Sequence, residues 1–127
     1  MNTLGELTTQ KPIFIQIAET LEDAILSRAL GEETQVPSTT EISVRYAINP
    51  ATALKGVNLL VERGILYKKR GLGMFVTPGA ARIIAQSRKE GFMEEFVLKL
   101  ICEAKKLGIS EGDVLEMIKK GYAHERD

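Results

Sequence analysis

Residues 37–64 read PSTTEISVRYAINPATALKGVNLLVERG, and two helix starts can be read directly from them. In Ser38-Thr39-Thr40-Glu41 the serine hydroxyl can accept from the amide three residues on. The glutamate can in turn reach back to the serine's own amide, a reciprocal capping box. A short helix should follow, running to about Tyr46 with Ile42 and Tyr46 facing inward. Ala47-Ile48 then makes a tight connection. Asn49-Pro50 starts a second helix by two independent means, an asparagine cap and a proline at the first helical position, where no amide donor is needed. Ala53, Val57, Leu60 and Val61 give that helix a buried stripe, and Gly64 is placed to end it in a left-handed cap. The stretch predicts a short helix, a tight turn and a longer helix.

Working outward, Ile65–Lys68 and Met74–Val76 are β-like runs around Lys69-Arg70-Gly71-Leu72-Gly73, which predicts a hairpin with a bulged or slightly long loop. Pro78-Gly79 breaks the chain and marks a boundary. Upstream, Phe14, Ile17, Ala18, Leu21, Ala24 and Ile25 recur at helical spacing, predicting a helix over Pro12–Ala29. Gly31 and the polar run to Gln35 read as a loop, and residues 1–11 as a loose arm. Gly56, inside the third helix, costs about 1 kcal/mol against alanine, and close packing on the first helix would account for it. Beyond residue 79, Phe92, Phe96, Val97, Leu100, Ile101, Ala104 and Leu107 form a wide apolar stripe on a helix of about 20 residues. Ser110-Glu111-Gly112-Asp113 can cap a last helix bearing Val114, Leu115, Ile118 and Tyr122. Two such helices cannot bury that much apolar face against each other, so a partner surface is implied.

The chain has 127 residues, 44% of them hydrophobic, enough for one core of ordinary size but not for two large domains. Seventeen basic residues balance seventeen acidic ones, which excludes a globally basic nucleic-acid coat and an acidic disordered tail. The balance is local only in part. Between Arg45 and Gly73 six basic residues face Glu62 alone, whereas Met1–Val44 holds two basic residues against seven acidic ones. A basic stretch over a candidate recognition helix and a hairpin tip is the footprint expected of a DNA-contacting surface. The single cysteine, Cys102, excludes an internal disulfide and a multi-cysteine zinc site, and the single histidine, His124, excludes two-histidine metal motifs. No metal or cofactor is implied, and no nucleophile has a histidine base plausibly near it, which argues against an enzyme. There is no signal-peptide pattern and no stretch approaching 18 apolar residues, so the expectation is a soluble cytoplasmic protein that does not enter membranes.

Together, residues 12–21 (PIFIQIAETL), 36–42 (VPSTTEI), 48–55 (INPATALK) and 59–76 (LLVERGILYKKRGLGMFV) resemble the GntR family of transcriptional regulators. The Asn49-Pro50 start, the short tail and its LGISEGDVLEMI (107–118) are most similar to the YtrA-type branch. The resemblance implies a mainly α fold with a small β-hairpin wing, a winged helix-turn-helix domain over residues 12–79, and a two-helix dimerisation tail over 80–127. It also implies operator binding as a dimer. The DNA-contacting positions it carries over are Ser38, Thr39 and Thr40 at the start of the second helix, and Asn49, Pro50, Ala51, Thr52 and Lys55 on the third. Arg70 and Gly71 match the family's wing tip, and Arg45 and Lys69 of the basic stretch complete the candidate set. Thr40 stands where the family often has arginine. Ala51 stands where the branch has asparagine, which leaves only a methyl contact, for instance to thymine.

Bland readings compete at several positions. Asn49 is a helix cap before it is a base contact, though both can hold. Lys55 suits a phosphate better than a base, since lysine lacks a planar fork. Gly71 and Gly73 are turn chemistry first. Arg45 is either a surface charge or a phosphate anchor. Cys102 reads as a buried small hydrophobe and His124 as tail. Phe92, Phe96, Leu100, Ile101, Leu107, Leu115 and Ile118 read as a dimerisation surface rather than a ligand pocket. The expected function is a sequence-specific DNA-binding regulator, a repressor acting by occlusion at an inverted-repeat operator, with double-stranded DNA and a second copy of itself as partners. A winged-helix protein-interaction module that has lost DNA readout is the rival, motivated by Thr40 and Ala51. A small-molecule effector, if there is one, would sit at the dimer interface or the hinge.

Overall fold

The computed structural model describes residues 4–7 and 11–125. In chain order it contains α1 (Ile13–Leu26), α2 (Thr39–Tyr46), α3 (Pro50–Glu62), β1 (Leu66–Lys69), β2 (Gly73–Val76) and α4 (Ala80–Phe92). A π-helical turn (Met93–Val97), α5 (Leu98–Lys106) and α6 (Glu111–Glu125) follow. The chain divides into two compact units, Met1–Ser87 and Arg88–Asp127.

In the first unit α3 packs on α1, α2 and β1. The α1 stripe closes as its spacing predicts: Ile17, Ala18, Leu21, Ala24 and Ile25 are buried, and they meet Ile42 of α2 and Ala53, Val57 and Leu60 of α3. Pro12 caps α1 rather than opening it, and the helix ends at Leu26 rather than Ala29 because Arg28 turns left-handed (φ 70°). Gly56 sits where α1 and α3 approach each other. A Cβ there would lie 2.9 Å from both Ile17 Cγ2 and the Phe14 carbonyl oxygen, so a side chain would force the helices apart. The helix-turn-helix connection is made by Ala47, left-handed at φ 53°, with the Ile48 amide donating to the Ser43 carbonyl at 3.0 Å.

β1 and β2 pair antiparallel, with Leu66 opposite Val76 and Lys69 opposite Gly73. The loop is therefore Arg70-Gly71-Leu72, and Gly71 takes φ 79°, a conformation open to glycine at no steric cost. The segment expected to be a loop before α2 does more. Gln35 bridges Phe75, Val36 donates to the Met74 carbonyl at 2.9 Å, and Val76 donates to the Thr34 carbonyl at 3.0 Å. This segment thus lies along β2 and joins it through one isolated bridge, beside the two-stranded sheet.

Two boundaries differ from the sequence reading. Ala80 and Ile84, in the first turns of α4, are buried in the core of the first unit, so the unit extends to Ser87 rather than ending at Gly79. Within the expected loose arm, Leu4 is only 6% exposed and belongs to the same core. The Leu4 and Gly5 carbonyls accept from Arg45 Nη2 (3.0 Å) and the Tyr46 hydroxyl (2.6 Å). Residues 1–3 and 8–10 of the arm lie outside the described residues.

In the second unit the expected 20-residue helix is α5 preceded by the π-helical turn and the end of α4. Ala104 is the one buried residue among those described there. Phe92, Phe96, Leu100, Ile101, Leu107, Leu115, Ile118 and Tyr122 are all exposed. The Phe92 and Phe96 rings lie 5.2 Å apart, tilted by 41°. Cys102, expected to be buried, is exposed, because nothing in this unit covers the side of α5 on which it stands.

Candidate nucleic-acid interface

The start of α2 is built by the capping box the sequence predicts. Ser38 Oγ accepts from the Glu41 amide at 3.0 Å, and the Ser38 amide donates to Glu41 Oε1 at 3.0 Å. The Ser38 amide, which contributes most, and the Ser38 hydroxyl hold the Glu41 carboxyl below its ordinary range. The box has a consequence for the expected phosphate site. It engages the Ser38 and Glu41 amides and sets a carboxylate beside the helix terminus, so a phosphate there would rest on Thr39 and Thr40 rather than on the Ser38 amide.

The start of α3 is likewise local chemistry. Asn49 Oδ1 accepts from the Ala51 amide at 2.8 Å, and Pro50 opens the helix. Asn49 is thus a cap in this structure. Burial of Ala53, Gly56, Val57 and Leu60 turns the opposite face outward, and Ala51, Leu54, Lys55 and Asn58 stand exposed on it. Thr52 is half-buried at its edge. Leu54 and Asn58 are additions to the expected site. Their signal was in the sequence, since they fall three and seven residues after Ala51 on the face opposite the buried stripe.

The basic stretch between Arg45 and Gly73 separates into engaged and outward groups. Arg45 donates to the Leu4 carbonyl of the N-terminal segment, and its guanidinium lies 5.2 Å from the Tyr46 ring centre. Arg63 pairs with the buried carboxylate of Glu22 at 3.3 Å, tying the end of α3 to α1. Lys55 Nζ lies 4.1 Å from the centre of the Phe14 ring. Lys69 Nζ lies 4.3 Å from that of Phe75, so its stem covers the hairpin. Lys68 and Arg70 are exposed on the hairpin, with Arg70 beside Gly71 at its tip. Gln35 Nε2 donates to the Leu72 carbonyl at 2.6 Å and braces that tip, another contribution the sequence did not announce. Among the described residues there is no group of three or more His, Cys, Asp or Glu side chains that could hold a metal ion, and no helix long and apolar enough to cross a membrane.

A solved GntR-family transcriptional regulator from Bacteroides thetaiotaomicron has a similar fold. The two align with a TM-score of 0.70 and 33% identity, over 89% of this chain and 98% of that one. This chain belongs to the GntR family. No family model matches it. The transcriptional repressor YtrA of Bacillus subtilis (strain 168) is 26% identical, over 86% of this chain and 83% of YtrA. The DNA-binding domain of AraR, solved in complex with operator ORX1, aligns with a TM-score of 0.52 and 26% identity, over 57% of this chain and 89% of that one. As a GntR-family member the chain is a DNA-binding transcriptional regulator and not an enzyme.

Proposed function

We propose that this GntR-family chain is a cytoplasmic repressor that binds an inverted-repeat operator as a homodimer. The observation that carries the reading is the outward face of α3, which the core of the first unit leaves unused, beside a hairpin tipped by Arg70-Gly71. In this reading the first unit is the DNA-binding domain, α3 enters the major groove and the wing reaches the adjacent minor groove. Ser38, Thr39, Thr40, Thr52, Lys55, Lys69 and Arg70 supply phosphate or groove contacts around it. The second unit pairs the subunits, and its support is the exposed set Phe92, Phe96, Leu100, Ile101, Leu107, Leu115 and Ile118, which a second copy would cover. Two-fold symmetry then sets half-sites about 34 Å apart. Repression follows by occlusion. An effector would have to work through the paired tails, where α5 and α6 leave an apolar cleft lined by Leu100, Ile101, Val114 and Ile118.

Fluorescence anisotropy of the full chain against its own upstream intergenic DNA and a shuffled control, at two salt concentrations, tests the reading. The expected result is a preference of about 10³-fold or more for the upstream fragment. With about four phosphates neutralised per subunit, log affinity should fall against log salt with a slope near about −7. Arg70→Ala should weaken binding to both fragments alike and make that slope shallower. Equal weak binding to both fragments, or a slope shallower than about −3, would reject groove binding and favour the protein-interaction module.

A further inference from the structure

We propose that α3 reads thymine, through its 5-methyl group, with Ala51 and Leu54 as the specificity-determining residues. The inference rests on the operator-binding reading above and deepens it. Ala51, Leu54, Lys55 and Asn58 are spaced three, four and seven residues apart and share the outer face of α3. Leu54 is 45% exposed, although the stripe opposite it already supplies the helix with its full core contact. The half of the face nearest the capped N-terminus is therefore two aliphatic side chains. Helix-turn-helix proteins contact base edges with that N-terminal part.

The chemistry of the groove selects among the bases. Guanine offers two acceptors that suit a forked cation, cytosine offers a donor that suits a carboxylate, and thymine alone presents a methyl group. The face carries no arginine and, before Glu62 at its far end, no carboxylate. Its one cation, Lys55, is drawn toward α1, with Nζ 4.1 Å from the Phe14 ring centre. Phe14, Ala51, Leu54 and Leu59 line one shallow groove along this side of α3 together with the polar Lys55, Asn58 and Glu62, so Leu54 belongs to a wider apolar patch rather than standing alone. Asn58, two turns along, has the paired donor and acceptor that suit adenine. Most of the positive charge that holds the duplex comes from the hairpin, where Lys68, Lys69 and Arg70 are exposed. The face thus fits A·T pairs with the thymine methyl turned toward Ala51 and Leu54.

The test begins with full-length protein and selection from a pool of random duplexes. The selected duplex is then resynthesised with deoxyuridine for thymine, which removes the methyls and keeps the hydrogen-bonding edges. Each covered methyl is worth about fourfold in affinity. With one or two methyls per half-site, and two half-sites, the uracil duplex should bind about 15- to 250-fold more weakly than the thymine duplex, an effect traceable to those positions by single replacements. In Leu54→Ala, whose thermal melt should match that of the wild type because the side chain is outside the core, the thymine-to-uracil ratio should shrink by several-fold. Uracil binding within twofold of thymine overturns the proposal. So does an undiminished ratio in Leu54→Ala, which would assign the methyl effect to DNA shape. Failure of the selection to yield any sequence would refute operator binding itself, before the uracil comparison is reached, and the thymine assignment would fall with it.

Discussion

The two units of this chain are made from amphipathic helices of similar quality, yet one closes its apolar stripes and the other does not. In the first, Ile17, Leu21 and Ile25 of α1 meet Ile42, Val57 and Leu60 from two other helices, and Leu66 and Val76 of the hairpin finish the core. In the second, Phe96 is 58% and Leu107 68% exposed, and Ala104 alone is buried among the described residues. What separates them is the number of directions from which an apolar stripe is covered. Three helices, a hairpin and the first turns of α4 surround a common centre. Two helices in succession cover only one side of each other. An apolar stripe states that a surface is to be buried; it does not state whether the same chain will do it. The open stripes of the second unit are the physical motive for the second copy proposed above, and the closed first unit leaves its polar and basic residues facing outward.

Truncating one residue in each unit gives the largest contrast. Leu60→Ala removes a fully buried side chain and should cost about 2–5 kcal/mol in chemical denaturation, at any protein concentration. Phe96→Ala should leave the melt of dilute protein nearly unchanged. It should lower the melting temperature of concentrated protein and shift sedimentation toward the monomer, since partner binding stabilises by mass action. A Phe96→Ala loss as large as that of Leu60→Ala and independent of concentration would break the comparison, because Phe96 would then belong to a closed core.

A somewhat smaller effect is expected at Leu4, which decides how far the closed unit extends. Leu4→Ala should cost about 2 kcal/mol, the lower end of the range for a buried leucine. If its denaturation midpoint matches that of the wild type, the N-terminal segment adds nothing to the core. Arg45→Ala should follow Leu4→Ala in stability more closely than it follows Arg70→Ala in DNA affinity. The opposite pattern would return Arg45 to the DNA contacts.

These sites also show which features a sequence can disclose. The starts of α2 and α3 were legible because their chemistry is local: Ser38 and Glu41 are three residues apart, and Asn49 caps the Ala51 amide. The close approach at Gly56 was legible too, since an interior helical glycine needs a reason. The pairing of Thr34–Val36 with β2 was not, because its partners, Met74 and Val76, lie far along the chain and the segment has no alternation of its own. Nor was the burial of Leu4, for the same reason. Pro78-Gly79 is a true break in the backbone, but Ala80 and Ile84 fold back onto the first core, and a local turn signal cannot report where the next helix packs. Within the candidate site, charge was legible and its engagement was not. Arg45, Lys55 and Arg63 look alike in sequence, and only their neighbours Leu4, Phe14 and Glu22 separate them.

The smallest effects concern the capping box, and they sharpen the comparison by isolating a term that depends on neither core. Ser38→Ala removes the acceptor for the Glu41 amide and should cost about 1 kcal/mol. The pH dependence follows from Glu41, whose carboxyl is held low in the folded chain by the Ser38 amide and hydroxyl. A carboxyl that ionises more readily when folded contributes stability above its unfolded-state value, and the contribution is lost as the pH falls through its lower folded value. Acidification from neutrality should therefore weaken the first unit only once the pH enters the carboxylate range. Glu41→Gln keeps a hydrogen-bonding side chain but not the charge, so its stability should be slightly lower at neutral pH and should decline less steeply on acidification. Identical slopes for wild type and Glu41→Gln in denaturation midpoint against pH, across the carboxylate range, would show that the reciprocal bond to the Ser38 amide does not persist in solution.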